Sequence, residues 1–403
     1  MTKEVVVAEA RKLMRDPRFL FRANRKISEL GLVSEVRNRL IVVVAGLTLA
    51  LALKVSVMFM GDSSSGKTTV IDKSLKLFPP EWVVKRASFS RRAFVYGEGS
   101  LDKTILSVNE YRANRVDQLQ LRILQSDAEI AHEYTTGGRT KVVRRLGSPV
   151  VLTTTTEEQI LEDDATRFLM IRLNPTPEQN LAVFKAAIAG ETTASEPDVE
   201  VWQEAMRQLV SAYKKRYEFP AWFEYIVEQI PKERPRFRRD WKRFLGCIEA
   251  IALCRSQVDA SEEITAADYC VAYRILNQAF TAAAFEVGEN ELAVQRTVTR
   301  LSNRFGRAVK ISEIRDSLKW GDGMTYKHVR AAVKQKLIRY EPGTAEQNVK
   351  RLVPIERGSS TFLPSPEQVL QNAEGLPQSV EYVDPLTGEL KKVSRAPVKK
   401  RAR

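Results

Sequence analysis

The residues best suited to chemistry form one short run, Gly61-Asp62-Ser63-Ser64-Ser65-Gly66-Lys67-Thr68, with Thr69 directly behind it. The spacing GxxxxGK[ST] suits a phosphate chain. Gly61 and Gly66 let the backbone curl so that successive N–H groups point inward at phosphate oxygens. Lys67 is placed to bridge the β- and γ-phosphates as a point charge, and the Thr68 hydroxyl to ligate Mg²⁺. The pattern requires a strand before it and a helix after it. Val55–Met60 is an apolar run and Thr69–Leu77 is helix-compatible, so the helix adds the positive end of its dipole. A chance Gly/Ser loop with a lysine would lack that context. Gly61 through Thr69 are therefore expected to bind ATP with Mg²⁺.

Other candidates surround this loop. The segment Leu101–Val108 reads as a strand ending in Asn109-Glu110, which puts an acid at the carboxyl edge of a sheet, where doubly wound folds bind ligands. Glu110 is the candidate for polarising an attacking water. Asn109 stands where such enzymes place a Mg²⁺-holding aspartate; it can bond a metal-bound water but brings no charge. The bland alternative is a strand ending in solvated Asn-Glu. Thr153–Thr156 closes another strand with hydroxyls, and Thr155 is the candidate for sensing the γ-phosphate, although threonine is also an ordinary strand former. Arg167 follows Asp163-Asp164-Ala165-Thr166; it is either a solvated charge or an arginine that reaches a neighbouring subunit's γ-phosphate. The Gly137-Gly138 turn carries Arg139, Lys141, Arg144 and Arg145, a set fit for nucleic-acid phosphates or for a solvated ribbon.

These residues need a scaffold. Thr2–Arg37 reads as a charged helical lead-in, and Leu40–Leu53, too short to span a bilayer, as a buried helix on the sheet. Strands are expected at Trp82–Ala87, Leu101–Val108, Pro149–Thr154 and Arg167–Leu173, a helix at Arg112–Gln125, and a hairpin over Ile130–Lys141. Apolar strands alternating with helices predict an α/β fold with a doubly wound parallel sheet over residues 38–175, after the lead-in of residues 1–37. Strand signals then stop, and residues 176–287 read as a helical subdomain. Residues 288–356 have the order helix, helix, helix, two-stranded wing of a winged helix-turn-helix, whose third helix, Met324–Lys336, shows Lys327, Arg330 and Lys334 on one face and Val329, Ala332 and Val333 on the other. A small protein-contact domain is the competing reading. Residues 357–403, rich in Ser, Pro, Gln and Glu and basic at the end, are expected to be disordered.

With 403 residues the chain has room for two or three domains. The net charge of +14 points to a polyanionic partner, nucleic acid being the commonest. Part of it is local: Lys391, Lys392, Arg395, Lys399, Lys400, Arg401 and Arg403 leave the rest of the chain at about +7. Cys247, Cys254 and Cys270 form no CxxC pair, which argues against a disulfide framework or zinc site. The charged opening segment has no signal-peptide pattern, so a cytoplasmic location and no membrane partner are expected.

The order of motifs resembles AAA+ ATPases of the minichromosome-maintenance (MCM) helicase type, and more closely the MCM-like ATPases of bacterial mobile elements and phages. The resemblance rests on the phosphate loop, the third-strand Asn109-Glu110, the basic hairpin, the threonines, Thr166-Arg167-Phe168 and the helical and winged segments, over roughly Gly31–Pro354. It implies an AAA+ P-loop NTPase core with an all-helical lid and a C-terminal winged helix. It implies an ATP-dependent DNA helicase or translocase acting in the replication of a mobile element or phage, assembled as a hexameric ring. The family's arginine finger lies in Ser-Arg-Phe-Asp, similar to Thr166-Arg167-Phe168-Leu169. The resemblance further implies DNA contacts by Arg139 and Lys141, and a second-sensor arginine at Arg238-Arg239, with Arg239 preferred. Asn109 departs from the family's acid. Only about 37 residues precede the core, so loading is expected to depend on a primase or loader. An initiator or loader, or a DNA-binding regulator with a weak ATPase, are the competing readings.

Overall fold

A computed structural model describes residues 1–86, 99–111, 129–136, 139–157, 160, 164, 166–173, 177–189, 196–232, 236–285, 289–334, 337–342, 350–354 and 361–396. They fall into two units, Met1–Asn277 with Leu363–Arg403, and Gln278–Phe362. The expected helix at Arg112–Gln125 and the Gly137-Gly138 tip lie outside the described residues.

The first unit is built on a five-stranded sheet of β1 (Val57–Met60), β2 (Val83–Arg86), β3 (Ile105–Val108), β6 (Val150–Thr155) and β7 (Leu169–Arg172), in the order β2-β3-β6-β1-β7. All pairings are parallel. Every residue of β1, β3 and β6 is buried; strands covered on both faces have no solvated side to carry alternation. The chain leaves β1 toward β2 on one side, whereas β6 passes over β1 to reach β7 on the other. The carboxyl ends of β1 and β6 therefore flank the crevice in which open α/β sheets bind ligands.

Helix α3 (Val36–Leu47) carries the apolar run expected to be a buried helix, and Leu40 through Leu47 are all inside. Each fully buried Leu, Ile or Val there contributes about 1.5–3 kcal/mol. The run ends earlier than its composition implies, in a short 3₁₀ turn at Thr48–Ala50, where the Thr48 hydroxyl takes the Val55 amide at 3.0 Å. Before α3 stand α1 (Lys3–Met14) and α2 (Phe19–Glu29), and α4 (Lys67–Leu75) follows β1. An antiparallel hairpin, β4 (Glu129–Thr136) with β5 (Arg139–Leu146), precedes β6. Between β7 and residue 277 the described elements of this unit are helices: α5 (Pro177–Ala189), α6 (Glu196–Ala212), α7 (Phe223–Gln229), α8 (Arg236–Asp259) and the first part of α9 (Ala266–Phe285). No helix among the described residues is long and apolar enough to cross a membrane.

The second unit holds α10 (Glu289–Phe305), β8 (Val309–Lys310), α11 (Ile311–Leu318), α12 (Asp322–Lys334), β9 (Ile338–Tyr340) and β10 (Arg351–Pro354). Its antiparallel sheet has the order β8-β10-β9, and Leu292, Val298, Val309, Ile314, Val329 and Leu352 are among the buried residues of one core.

The disorder expected from residue 357 onward is not what the chain does over residues 361–396. Ser365 caps α13 (Pro366–Asn372): its hydroxyl takes the Gln368 amide at 3.2 Å, while the Gln368 side chain takes the Ser365 amide at 2.8 Å. The strands β11 (Ser379–Val383) and β12 (Leu390–Ser394) then form an antiparallel hairpin. Val380, Tyr382, Val393 and Leu370 pack on Cys270 of α9. Few apolar residues suffice because alternate positions of a hairpin share one face. The turn is fastened by Asp384, fully buried, which accepts from Arg274 at 2.8 Å and Lys391 at 2.6 Å. Thus Lys391, part of the basic charge of the segment expected to be disordered, is paired with a buried carboxylate.

Candidate functional site

The phosphate loop turns between β1 and α4. Gly61 has φ 152°, and a Cβ there would meet the Leu173 carbonyl oxygen at 2.7 Å, so only glycine fits. Gly66 has φ 85°, with open space where a Cβ would stand. The loop thereby keeps a cradle lined by backbone at the head of α4. Lys67, buried, donates to the carbonyls of Gly61 at 2.7 Å and Asp62 at 2.5 Å, and to the Ser65 hydroxyl at 3.3 Å. Burial pushes its ammonium pKa below the ordinary lysine value, against the opposing charges of Asp62 and Glu110. Asp62, Ser63, Ser64, Thr68 and Thr69 are exposed. These residues fit a triphosphate: a backbone cradle, a helix N-terminus and one ammonium converge.

Asn109 and Glu110, both exposed, leave the carboxyl end of β3. The Asn109 amide donates to the Arg86 carbonyl at 3.1 Å. Glu110 stands at φ 53° and its amide donates to the Thr154 hydroxyl at 3.2 Å, while the Tyr111 amide donates to the Thr154 carbonyl at 2.6 Å. Thr154 thus clamps this turn, a role that sequence reasoning missed. Thr155, the residue singled out there, lies level with Met60, immediately before the phosphate loop; it is buried and takes the Glu157 amide at 3.1 Å. Lys67 and Glu110 therefore share one electrostatic neighbourhood at the carboxyl edge, with Thr154 and Thr155 beside them.

Arg167 is elsewhere. Leu169 pairs with Val57 at the amino end of β1, whereas the phosphate loop follows Met60 at the other end. Along the strand the separation is about 10 Å or more at ~3.3 Å per residue. The Arg167 amide donates to the Asp164 carbonyl at 2.9 Å. Arg239 donates to the Thr166 hydroxyl and Arg243 to the Thr166 carbonyl. Asp240, wholly buried, holds Arg243 at 2.6 Å and Arg236 at 3.2 Å. Burial lowers the Arg243 pKa to about 10 despite the adjacent Asp240. The fold therefore gathers Arg167, Arg236, Arg239 and Arg243 at the amino edge, away from Lys67. The spacing Arg236, Asp240, Arg243 is the signal that could have revealed this network, since residues three and four apart share a helix face.

The basic residues are carried by other elements. Arg139 and Lys141 are exposed on β5, opposite Thr136 and Tyr134. Arg144 pairs with Glu129 at 3.0 Å. Arg145 is half-buried, and burial followed by the nearby charge of Arg86 lowers its pKa. In the second unit, Lys327, Arg330 and Lys334 are exposed on α12, while Val329 and Ala332 are buried. Among the described residues no cluster of three or more His, Cys, Asp or Glu could hold a metal.

Residues 34–212 match a family model described as the MTBMA_p00010 P-loop domain. No curated protein matches the chain. Among solved structures it is similar to a full-length MCM homolog from Methanopyrus kandleri, with 12% identity and a TM-score of 0.42 over 68% of this chain and 61% of that one. The chain thus spans under two thirds of that protein's length. It carries a P-loop domain of α/β architecture, the class of fold that binds nucleoside triphosphates.

Proposed function

We propose that the chain is an ATP hydrolase of the MCM-like AAA+ type that assembles into a ring, hydrolyses ATP between subunits and moves along DNA. The observation that carries this reading is the division of charge across the sheet: the phosphate loop and Glu110 at the carboxyl edge, the arginine cluster at the amino edge. An arginine in that position is suited to a neighbour's nucleotide, not its own. A head-to-tail contact that repeats around a rotation axis closes a ring and builds one complete site at each interface.

In this reading the loop amides and Lys67 hold the β- and γ-phosphates, and Glu110 accepts the proton of the attacking water. Arg167 and Arg239 of the adjacent subunit stabilise charge on the transferred phosphoryl group. Thr68 and Asn109 would hold Mg²⁺, which supplies charge neutralisation at the phosphates when bound. Asn109 brings no carboxylate, so metal affinity falls to Thr68 and the phosphates. Arg139 and Lys141 contact the phosphates of single-stranded DNA. The helices α10, α11 and α12 with β9 and β10 act as a winged helix that lays Lys327, Arg330 and Lys334 on duplex. Replication of a mobile element or phage is the setting the motif order implies.

The test is ATP turnover with and without single-stranded DNA, together with strand displacement. Glu110→Gln is expected to bind ATP and not turn it over. Arg139→Ala with Lys141→Ala is expected to lose DNA stimulation, and to lower the salt slope of single-strand binding by about 0.7 per lost phosphate contact. Full stimulation and strand displacement in the double variant would remove Arg139 and Lys141 from the DNA contact, whereas a native protein with neither DNA stimulation nor strand displacement would overturn the translocase reading in favour of an initiator or regulator.

A further inference from the structure

We infer that Tyr111 is a positioning residue that couples successive nucleotide sites, by seating the Glu110 turn of each subunit against the segment that carries the same subunit's Arg167. The inference rests on the reading of Arg167 as acting across the interface.

Tyr111 directly follows Glu110, and Phe168 directly follows Arg167. Both rings are only 1% exposed, and they meet edge to face, with centroids 5.6 Å apart and planes at 68°. In the sheet, β6 and β1 separate the strands to which these residues belong. The contact therefore joins the nucleotide-facing edge of a subunit to the edge that presents its arginines.

Each end of the contact is fixed by bonds that limit its freedom. At the first, Thr154 takes both the Glu110 amide, at 3.2 Å, and the Tyr111 amide, at 2.6 Å. Glu110 adopts φ 53°, a conformation that a non-glycine residue keeps only when its surroundings enforce it. At the second, Thr166 is gripped by Arg239 and Arg243, and Arg243 by Asp240. Close-packed interiors transmit displacement instead of absorbing it. A shift of the Glu110 turn as its own nucleotide changes state thus presses Tyr111 on Phe168, and Phe168 moves with the Arg167 backbone to which it is joined. The adjacent subunit's site receives that movement through the guanidinium.

Rings are assembled from mixtures of active subunits and Lys67→Ala subunits. A Lys67→Ala subunit loses its own site yet still offers Arg167 to its neighbour. Uncoupled sites then lose turnover in proportion to the inactive fraction, keeping about half at equal mixing, whereas coupled sites fall several-fold lower. Rings whose active subunits carry native Tyr111 are expected to show the steep curve. Tyr111→Leu, which removes the ring, is expected to give the proportional one, and Tyr111→Phe to restore the steep one. Phe168→Leu probes the same contact from the other side and is expected to match Tyr111→Leu, which keeps the test decisive should one variant fail to assemble. A curve as steep in Tyr111→Leu or Phe168→Leu rings as with the native residues overturns the relay. Mixing Arg167→Ala with Lys67→Ala subunits in parallel separates the two layers: recovered turnover with no change of steepness at Tyr111 refutes the relay and leaves the interface intact, whereas no recovery refutes both.

Discussion

Replacing Asp240 by asparagine removes one negative charge from a place that water does not reach. The carboxylate is 0% exposed and holds two guanidinium groups whose side chains are 10% and 8% exposed, Arg236 at 3.2 Å and Arg243 at 2.6 Å. Asparagine keeps one acceptor oxygen but turns an amide donor toward a second donor, so at least one buried cation loses its partner. Removing one member of a buried ion pair costs about 3–5 kcal/mol, a large share of a typical stability of about 5–15 kcal/mol. At roughly 2 °C per kcal/mol for a unit of this size, melting should fall by about 6–10 °C. Because Arg243 and Arg239 both hold Thr166, the loop before β7 should loosen as well. Turnover is then expected to drop while nucleotide binding at Lys67 persists. Scanning calorimetry, a nucleotide-binding titration and an ATP-hydrolysis assay read these effects. A melting shift under about 1 °C with unchanged turnover would refute the idea that this network supports the arginines.

Two further outcomes are expected. Lys67 has a depressed pKa, so its ammonium is lost at lower pH than that of a free lysine near ~10.4, and nucleotide affinity should begin to fall below that value; affinity flat through about pH 10.5 would contradict this. At Asp384, burial works to raise the carboxyl pKa, but Lys391, the Leu386 amide and Arg274 outweigh it and hold the pKa below the ordinary aspartate value. Such a group stabilises fully above its unfolded pKa near ~3.9, and that stabilisation is lost as pH falls through the lower folded value. Asp384→Asn should cost about 2–3 kcal/mol, since its cations are partly solvated. It should also raise amide exchange over residues 363–396; unchanged exchange there would show that the hairpin is held by its apolar face alone.

The phosphate loop and the central strands were legible because their signals are local. Val57–Met60 is apolar throughout, and Gly61–Thr68 carries its geometry in its residue types. The Asn109-Glu110 turn was legible for the same reason. The threonine that serves it was not, because strand parity cannot be read from consecutive hydroxyls: Thr153 bonds the Val108 carbonyl, Thr154 faces Glu110, and Thr155 lies level with Met60. The C-terminal hairpin escaped notice because its core partner, Cys270, is over a hundred residues away in sequence and its own apolar residues are few. Yet Ser365-Pro366-Glu367-Gln368 spells a capping box that marks a helix start. The arginine cluster needed the fold, since no periodicity within Thr166–Phe168 says which helix will lie against it.

The central claim is that each nucleotide site is completed by an arginine from the next subunit. It is tested most directly by mixing Arg167→Ala and Lys67→Ala subunits, each inactive alone, before assembly. At equal mixing about one quarter of the interfaces pair an intact phosphate loop with an intact Arg167, and ATP turnover is expected to reappear. Mixed rings that form but stay inactive at every ratio would contradict the account.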